Sequence, residues 1–280
     1  MSLFDAINHA FATISTGGFS TKTESMGYWL NNPLILWTTT FFMFISGINF
    51  IAHLRVLKGD FQGYKSEEVK WYFIIFFTLS LGVSLVHYFH SKDSLFFALT
   101  HGFFTKSSII TTTGFATIDY SQWGQAAIAL IFIAMLIGGN AGSTAGGIKV
   151  IRFVVMFKNL KYQIKKIISP NTILFVKIDN QKLSQNVINN VSAFIFLYIL
   201  TVTSIALYLF SQGYDTLTSL SASIACVGNI GPGFGHVGPV DNFAFFTPTQ
   251  KIILAVGMII GRLEFFTVLI LLSRDFWKKF

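Results

Sequence analysis

Cysteine is nearly absent from this chain of 280 residues, in which Cys226 stands alone. A single cysteine excludes an internal disulfide framework and any metal site built from several thiolates. Charge is also scarce, because only 11% of the residues are Asp, Glu, Lys or Arg, whereas a soluble domain carries about a quarter. Composition therefore argues against both redox chemistry and a soluble fold.

Apolar side chains are abundant instead, at 52% of the chain, and 32 residues are phenylalanine. This composition is typical of a multi-pass membrane protein. The start of the chain lacks the charged region and the small-residue cleavage site of a signal peptide. The spans themselves are therefore expected to direct the chain to the membrane.

Long apolar runs bounded by charges predict transmembrane spans. Four runs are continuous, at residues 34–54, 69–89, 190–210 and 252–272. A fifth run, over 126–158, is interrupted at 138–149 by GGNAGSTAGGIK, which places glycines at mid-membrane depth. The sequence therefore predicts an all-α membrane protein with about five transmembrane spans.

Basic residues predict the orientation of these spans. Fifteen of the 20 fall in alternate connections or at the chain end: Arg55, Lys58, Lys65, Lys70, Lys149, Arg152, Lys158, Lys161, Lys165, Lys166, Lys177, Lys182, Arg274, Lys278 and Lys279. An excess of Lys and Arg marks the cytoplasmic side. The stretch 158–166 is better explained by contact with membrane lipid than by nucleic-acid binding, so no nucleic-acid partner is expected.

A repeated pattern occupies the opposite side of the membrane. It comprises FDAINHAFATISTGGFS at 4–20, DSLFFALTHGFFTKSSIITTTGFAT at 93–117 and YDTLTSLSASIACVGNIGPGF at 214–234. Each apolar part is shorter than the roughly 20 residues that a span requires, and each ends in glycine. The pattern predicts re-entrant helices followed by glycine loops, with Asp5, Asp93 and Asp215 as N-caps.

Glycine loops at membrane depth suit one chemistry in particular. Non-helical backbone is tolerated there only if protein buries it or if it lines a water-filled cavity. Several such loops on one axis can direct carbonyl oxygens at a dehydrated cation. Glycine allows the left-handed backbone angles that this requires, and the negative end of a helix dipole favours the cation. The pattern therefore indicates a cation pathway.

Five motifs in order, STGGFS, TTTGFAT, GGNAGSTAGGIK, GNIGPGF and GRLEFFT, resemble those of the bacterial Trk-type potassium-uptake membrane subunits. The resemblance extends over essentially the whole chain. It implies repeated units of span, re-entrant pore helix and span around a pseudo-fourfold pore, in the bacterial inner membrane. It also implies K+ as the transported ion, with no cofactor in this chain, no enzymatic activity and no other metal.

The resemblance assigns the selectivity filter, and hence K+ binding, to three strands: Thr16, Gly17 and Gly18; Thr112, Thr113 and Gly114; Asn229, Ile230 and Gly231. In the third strand Pro232 follows the assigned glycine, and Gly233 competes for the register. The resemblance assigns the gate to an intramembrane loop with Arg262. The loop residues are Gly138, Gly139, Asn140, Ala141, Gly142, Ser143, Thr144, Ala145, Gly146 and Gly147.

Both gate assignments have alternatives. Small residues at 138–149 also suit close helix packing. Arg262, predicted halfway along the last span, is costly at that depth and should face the bundle interior or a cavity. It would act as an electrostatic barrier to cations, hold the loop through its carbonyls, or form a structural ion pair elsewhere. Glu264, two positions away, is not an obvious partner.

The resemblance also predicts the organisation of the chain. Residues 1–58 would form the second half of a pore repeat, 59–158 a complete repeat, 159–189 a basic cytoplasmic connection and 190–280 the final repeat. Met1 falls inside the region of resemblance. The chain is therefore expected to be truncated at its N-terminus, with three of four filter strands and five of eight core spans.

A homodimer and a cytosolic nucleotide-binding regulatory subunit, TrkA-like, are implied as partners. Two other functions stay open: a secondary transporter of another cation or solute with broken helices at the midplane, and a non-conducting truncated remnant. GFGHVG at 233–238 fits a dinucleotide-binding pattern by letter. It follows no strand and opens no helix, so that function is disfavoured.

Overall fold

The computed structural model describes residues 1–91, 93–171 and 174–278, and most of them are helical. The α-helices are α1 (Leu3–Ile14), α2 (Pro33–Ser46), α3 (Phe50–Leu57), α4 (Glu67–Ser91), α5 (Leu95–Ile110), α6 (Gln125–Leu136), α7 (Val150–Ile168), α8 (Gln185–Ser211), α9 (Thr216–Gly228), α10 (Pro248–Arg262), α11 (Phe265–Leu272) and α12 (Arg274–Trp277). A hairpin of β1 (Lys177–Ile178) and β2 (Gln181–Lys182) pairs Lys177 with Lys182. Lys279 and the side chain of Arg274, both predicted to be cytoplasmic, lie outside this description.

Two helices, α4 and α8, are individually long and apolar enough to cross a membrane. Two further candidates are bent pairs: α2 and α3 meet at 99°, and α10 and α11 meet at 112°. Helices α6 and α9 are apolar but shorter. The prediction of continuous spans over 34–54 and 252–272 is therefore wrong, because each apolar run contains a bend. Both apolar runs are nevertheless helical.

Each bend has a local cause. Asn49 starts a new helix by accepting a 2.7 Å hydrogen bond from the Ile51 N–H, which ends the turn begun at Gly47. Glu264 takes a left-handed backbone, with φ of 62°. A capping side chain and a positive φ interrupt the i to i−4 ladder. Neither changes the hydropathy of the run, so the spans look continuous in the sequence.

Three short helices, α1, α5 and α9, match the predicted re-entrant helices. Asp215 caps α9 as predicted, accepting from the Thr218 N–H at 2.9 Å. The other two predicted caps are wrong in position. Ser2 caps α1, with Asp5 as the third residue of a capping box, and Ser94 rather than Asp93 caps α5. Hydroxyl caps fill the same role, since they also accept from the first-turn amides.

Helices α5 and α9 lie inside the bundle, whereas α1 packs on α2 and leaves most of its residues exposed. Helix α5 packs against α2, α4 and α6, and α9 packs against α6, α8 and α10. At Gly102 of α5 an added Cβ would overlap the Ser84 hydroxyl of α4, so glycine permits the close approach. Aromatic rings fill the adjoining core, with Phe44 stacked on Tyr72 at 5.1 Å. The core thus surrounds the C-terminal ends of α5 and α9.

Lys106 is a charged residue in the centre of this core. It lies in α5, and its side chain is fully buried. Its Nζ donates a 2.7 Å hydrogen bond to the Leu130 carbonyl of α6. No acid pairs with it among the described residues. The lysine therefore joins α5 to α6 through backbone rather than through an ion pair.

Candidate functional site

The three loops that follow α1, α5 and α9 share one backbone conformation. We call them the first, second and third glycine loops, at 16–18, 112–114 and 229–231. In each, the first and third residues have positive φ: Thr16 53° and Gly18 67°; Thr112 54° and Gly114 86°; Asn229 56° and Gly231 106°. Threonine rarely adopts this region, so two strained threonines at equivalent positions point to a functional requirement.

Equivalent hydrogen bonds fix the register of the loops. The middle amide of each loop donates back to its own helix at 2.8 Å: Gly17 to Ala12 O, Thr113 to Ser108 O and Ile230 to Ala225 O. The third loop therefore aligns through Asn229, Ile230 and Gly231. Gly233 lies outside this turn, since its N–H donates to Val237 O at 2.6 Å.

The glycine loops lie side by side, backbone against backbone. A Cβ added to Gly18 would overlap the Thr113 carbonyl oxygen. One added to Gly114 would lie 2.5 Å from the Ile230 carbonyl oxygen. Gly231 in turn faces Gly114, with its added Cβ 3.4 Å from the Gly114 Cα. Glycine is needed at 18 and 114 because another strand occupies the space where a side chain would point, whereas at 231 the φ of 106° favours glycine.

The carbonyl oxygens of all nine loop residues are free. Among the described residues, no hydrogen-bond donor reaches any of them. The C-terminal end of a helix precedes each loop, and that end carries partial negative charge. Nine free carbonyls beside three helix C-termini form a site suited to a cation that has lost water. No group of three His, Cys, Asp or Glu side chains in the described part of the chain could compete as a metal site.

The chain that follows the first glycine loop is hydrogen-bonded to α1. The Thr21 hydroxyl donates to Asp5 Oδ1 at 2.6 Å, and the Ser2 hydroxyl donates to Asp5 Oδ2 at 2.7 Å. The hydrogen bond from Thr21, followed by that from Ser2, lowers the pKa of Asp5 to about 2. His9 reaches the Ser20 hydroxyl at 2.9 Å. The chain returning from the loop is thus fastened to the start of α1.

The segment 138–149, which we call the inner loop, connects α6 to α7. A parallel bridge pairs Ile137 with Ile148 at its neck. There the Gly138 N–H donates to Ile148 O at 2.8 Å, and the Val150 N–H donates to Gly139 O at 3.2 Å. The inner loop is therefore a closed excursion with non-helical backbone.

The inner loop contacts all three glycine loops or their helices. The Thr16 hydroxyl donates to Thr144 O at 3.0 Å. The Gly146 N–H donates to the Thr112 hydroxyl at 2.6 Å. Next to the third glycine loop, a Cβ added to Gly146 would overlap the Gly228 carbonyl oxygen at the end of α9. The predicted gate residues thus lie directly against the predicted filter residues.

Arg262 lies at the last residue of α10, at the bend, rather than midway along a straight span. Its Nη1 donates to Thr144 O at 2.8 Å. It makes no ion pair among the described residues, because Glu264 pairs with Arg152 at 2.7 Å. Of the roles open from the sequence, the contact agrees with holding the loop.

One residue of this site, Glu68, was missed by the sequence analysis. Glu68, in the first turn of α4, accepts the Ala141 N–H at 2.6 Å. An acid in a first turn is common for dipole reasons, so SEEVKW gave no signal. Asn140 was assigned as part of the loop, but its fully buried amide has no hydrogen-bond partner among the described residues. That property is visible only in three dimensions.

Comparisons with known proteins agree with this geometry. The profile of a cation transport protein family, TrkH, matches residues 1–60 and 70–279. The Trk system potassium uptake protein TrkI of Halomonas elongata is 35% identical over 281 residues, which cover 100% of this chain and 57% of that protein. TrkH of Escherichia coli is 36% identical over 282 residues, covering 100% of this chain and 58% of that protein.

A solved structure is also similar. The crystal structure of the potassium transporter TrkH from Vibrio parahaemolyticus superposes with a TM-score of 0.91 at 36% identity. The match covers 99% of this chain and 60% of that one. The chain therefore spans somewhat more than half the length of the relatives that it matches.

Proposed function

Because the chain belongs to the TrkH family of cation transport proteins, whose members are multi-pass proteins of the bacterial inner membrane, we propose that it takes part in K+ uptake. In this proposal the three glycine loops are filter strands of the pore. The observation that carries it is the set of nine free carbonyl oxygens on three loops of equal conformation. Such oxygens replace the water shell of a dehydrated cation.

The proposed mechanism follows from the fixed positions of these oxygens. Each middle amide is bonded to its own helix, so the neighbouring carbonyls cannot rotate freely. A cation entering the loops exchanges water for carbonyl oxygens, and the helix C-termini stabilise its charge. The ion then moves between oxygen sites down its electrochemical gradient, either alone or coupled to another ion.

The inner loop is proposed as the gate. It is hydrogen-bonded directly to Thr16 and Thr112. Arg262 adds positive charge at the same carbonyl that Thr16 contacts. A cation leaving the glycine loops would meet this segment, so its displacement would open the pathway. Small residues allow it to occupy the pathway or move aside.

The organisation and partners are proposed on the same basis. The relatives' names place them in a Trk system, which is consistent with several components. We propose a homodimer and a TrkA-like cytosolic nucleotide-binding subunit as partners. We also propose a half repeat over 1–58, complete repeats over 59–158 and 190–280, and a cytoplasmic connection between them.

Growth of a K+-uptake-deficient bacterium on limiting K+ tests the proposal. The chain would be expressed alone and also joined to the part of Escherichia coli TrkH that it does not match. Rescue by either form, lost on Gly114→Ser, is the expected result. If both forms reach the membrane and neither rescues growth, or if Na+ enters in place of K+, the proposed function is wrong.

A further inference from the structure

Glu68 binds the inner loop and the start of α7 with one oxygen. Its Oε1 accepts the Ala141 N–H at 2.6 Å, near the tip of the loop. The same atom accepts the Ile151 N–H at 3.4 Å, in the first turn of α7. Helix α7 has no side-chain cap of its own, so Glu68 supplies one from another helix. A hydrogen bond to a charged acceptor is stronger than a neutral one.

The start of α4 that carries Glu68 is itself fixed by the hairpin. Asp179, at the hairpin turn, accepts the Glu67 N–H on Oδ1 at 2.7 Å. The Glu67 carboxylate pairs with Lys158 of α7. Lys158 also donates to Lys177 O in β1 at 2.7 Å. The hairpin, α7 and the first turn of α4 therefore form one hydrogen-bonded cluster next to the inner loop.

A cavity of about 810 Å³ adjoins this cluster. Its lining includes Asn49, Arg55, Lys65, Glu68, Ile151 and Asp179. Gly142, at the tip of the inner loop, approaches Asn49, because its added Cβ would lie 2.9 Å from the Asn49 amide nitrogen. Asn49 and Glu68 thus contact the inner loop and also line the cavity, which no residue of the loop itself lines.

We propose that Glu68 is the positioning residue that keeps the inner loop against the glycine loops, and that the hairpin keeps Glu68 in place through Asp179. Release of Glu68 frees the loop to move away from the glycine loops. A protein that pulls on the hairpin from the predicted cytoplasmic side would thereby act on the loop. Glu68 falls between the two stretches that the family profile matches. The inference rests on the proposed function only in treating the inner loop as the gate.

Hydrogen–deuterium exchange on the full chain in detergent micelles tests the contacts without any transport assay. Glu68→Ala should speed exchange in peptides covering 138–151 by at least about tenfold, the effect of losing a charge-assisted hydrogen bond. Glu68→Gln keeps an acceptor oxygen and should restore most of the protection. Asp179→Ala should give a smaller increase.

Lys70→Ala is the matched control. It changes an exposed residue of the same first turns of α4, whose side chain makes no hydrogen bond or ion pair among the described residues, so exchange at 138–151 should stay within about twofold of the parent. Peptides of α8 should exchange at the parent rate in every variant. Unchanged protection at 138–151 in Glu68→Ala, or loss of protection throughout the chain, would overturn the assigned role.

Rubidium flux distinguishes this inference from the proposed function. In whichever form supports K+ uptake, Glu68→Ala should raise the flux several-fold, with Glu68→Gln near the parent value. If the parent shows flux and Glu68→Ala leaves that flux unchanged or lowers it, the positioning role is wrong. The proposed function is not contradicted by this result. Absence of flux in the parent and in the Lys70→Ala control contradicts the proposed function, while the exchange result still decides whether Glu68 holds the loop.

Discussion

The glycine loops and the inner loop are both rich in small residues, yet they are held in opposite ways. In the glycine loops each middle amide bonds to the helix immediately before it, as in Thr113 to Ser108. In the inner loop the amides of Asn140, Ala141 and Gly146 bond to other elements, through Gly47 O, Glu68 and Thr112. Locally bonded backbone stays fixed when neighbours move, whereas backbone bonded to neighbours follows them. The source of the hydrogen bonds therefore separates a rigid binding segment from a movable one, which glycine content does not.

The largest effect is expected from a substitution that disrupts the rigid glycine loops. Gly18→Ala places a Cβ on the Thr113 carbonyl oxygen, at a φ of 67°, and should reduce transport to background. Gly213→Ala is the matched control, because its φ of 94° carries the same backbone cost but no atom lies within 4 Å. That control should lose roughly 1–2 kcal/mol of stability and keep transport. Rubidium uptake measures transport and thermal unfolding measures stability. Equal transport in the two variants would show that the contact between the first and second glycine loops is not required.

The next largest effect is expected from a substitution that loosens the movable inner loop. Arg262→Met removes a positive charge and the hydrogen bond to Thr144 O, so the inner loop should leave its position more often and flux should rise several-fold. Lys251→Met, at the other end of α10, removes a lysine whose side chain hydrogen-bonds only to Ala244 O among the described residues, and it should leave flux unchanged. A fall in flux in Arg262→Met with normal expression would contradict the assigned role.

A smaller effect is expected where the two regions meet. Thr112→Val keeps the shape of the side chain but removes the acceptor for the Gly146 N–H. Loss of one hydrogen bond, about 1 kcal/mol, should raise flux by less than Arg262→Met does. Thr100→Val, in the helix before this loop, removes a hydroxyl that bonds to Trp37 and its own helix. Equal flux changes in the two valine variants would show that the contact with Gly146 is irrelevant.

The smallest effect concerns the hydrogen bonds to Asp5 that hold the chain after the first glycine loop. The pKa of Asp5 is about 2 in the folded chain against an ordinary 3.8, so its carboxylate stabilises the fold above about pH 4. This contribution is lost as the pH falls toward 2. Thr21→Val should raise the pKa of Asp5 in an NMR titration, and Thr21→Ser should restore it. An unchanged titration in Thr21→Val would show that the hydroxyl does not hold the carboxylate.

Much of this architecture is predictable from apolar runs and glycine positions. The re-entrant helices α1, α5 and α9 follow from runs too short to span. The bends at Gly47 and Glu264 do not, because a change of direction leaves the apolar character of a run unchanged. Domain boundaries and the roles of the filter residues stay predictions, although the loops carrying them have equivalent backbones.

The site shows the same division between local and distant information. Thr16 and Thr112 could be assigned through the resemblance, since the motifs that carry it lie within a few residues of each glycine. Glu68 could not, because its partner Ala141 is 73 positions away and no local pattern links them. The role of Arg262 was left open for the same reason, since its contact with Thr144 is 118 positions away.

These sequence separations also dictate an order of assembly. Each glycine loop can form as soon as its own helix has been synthesised, because its amides need partners no more than five or six residues away. The inner loop needs residues from 16 to 262, so its hydrogen bonds cannot be complete until α10 has left the ribosome. Contacts of long sequence separation form late because closing the intervening chain costs entropy. A newly made chain would therefore have its glycine loops in place before the inner loop, that is, the proposed filter before the proposed gate.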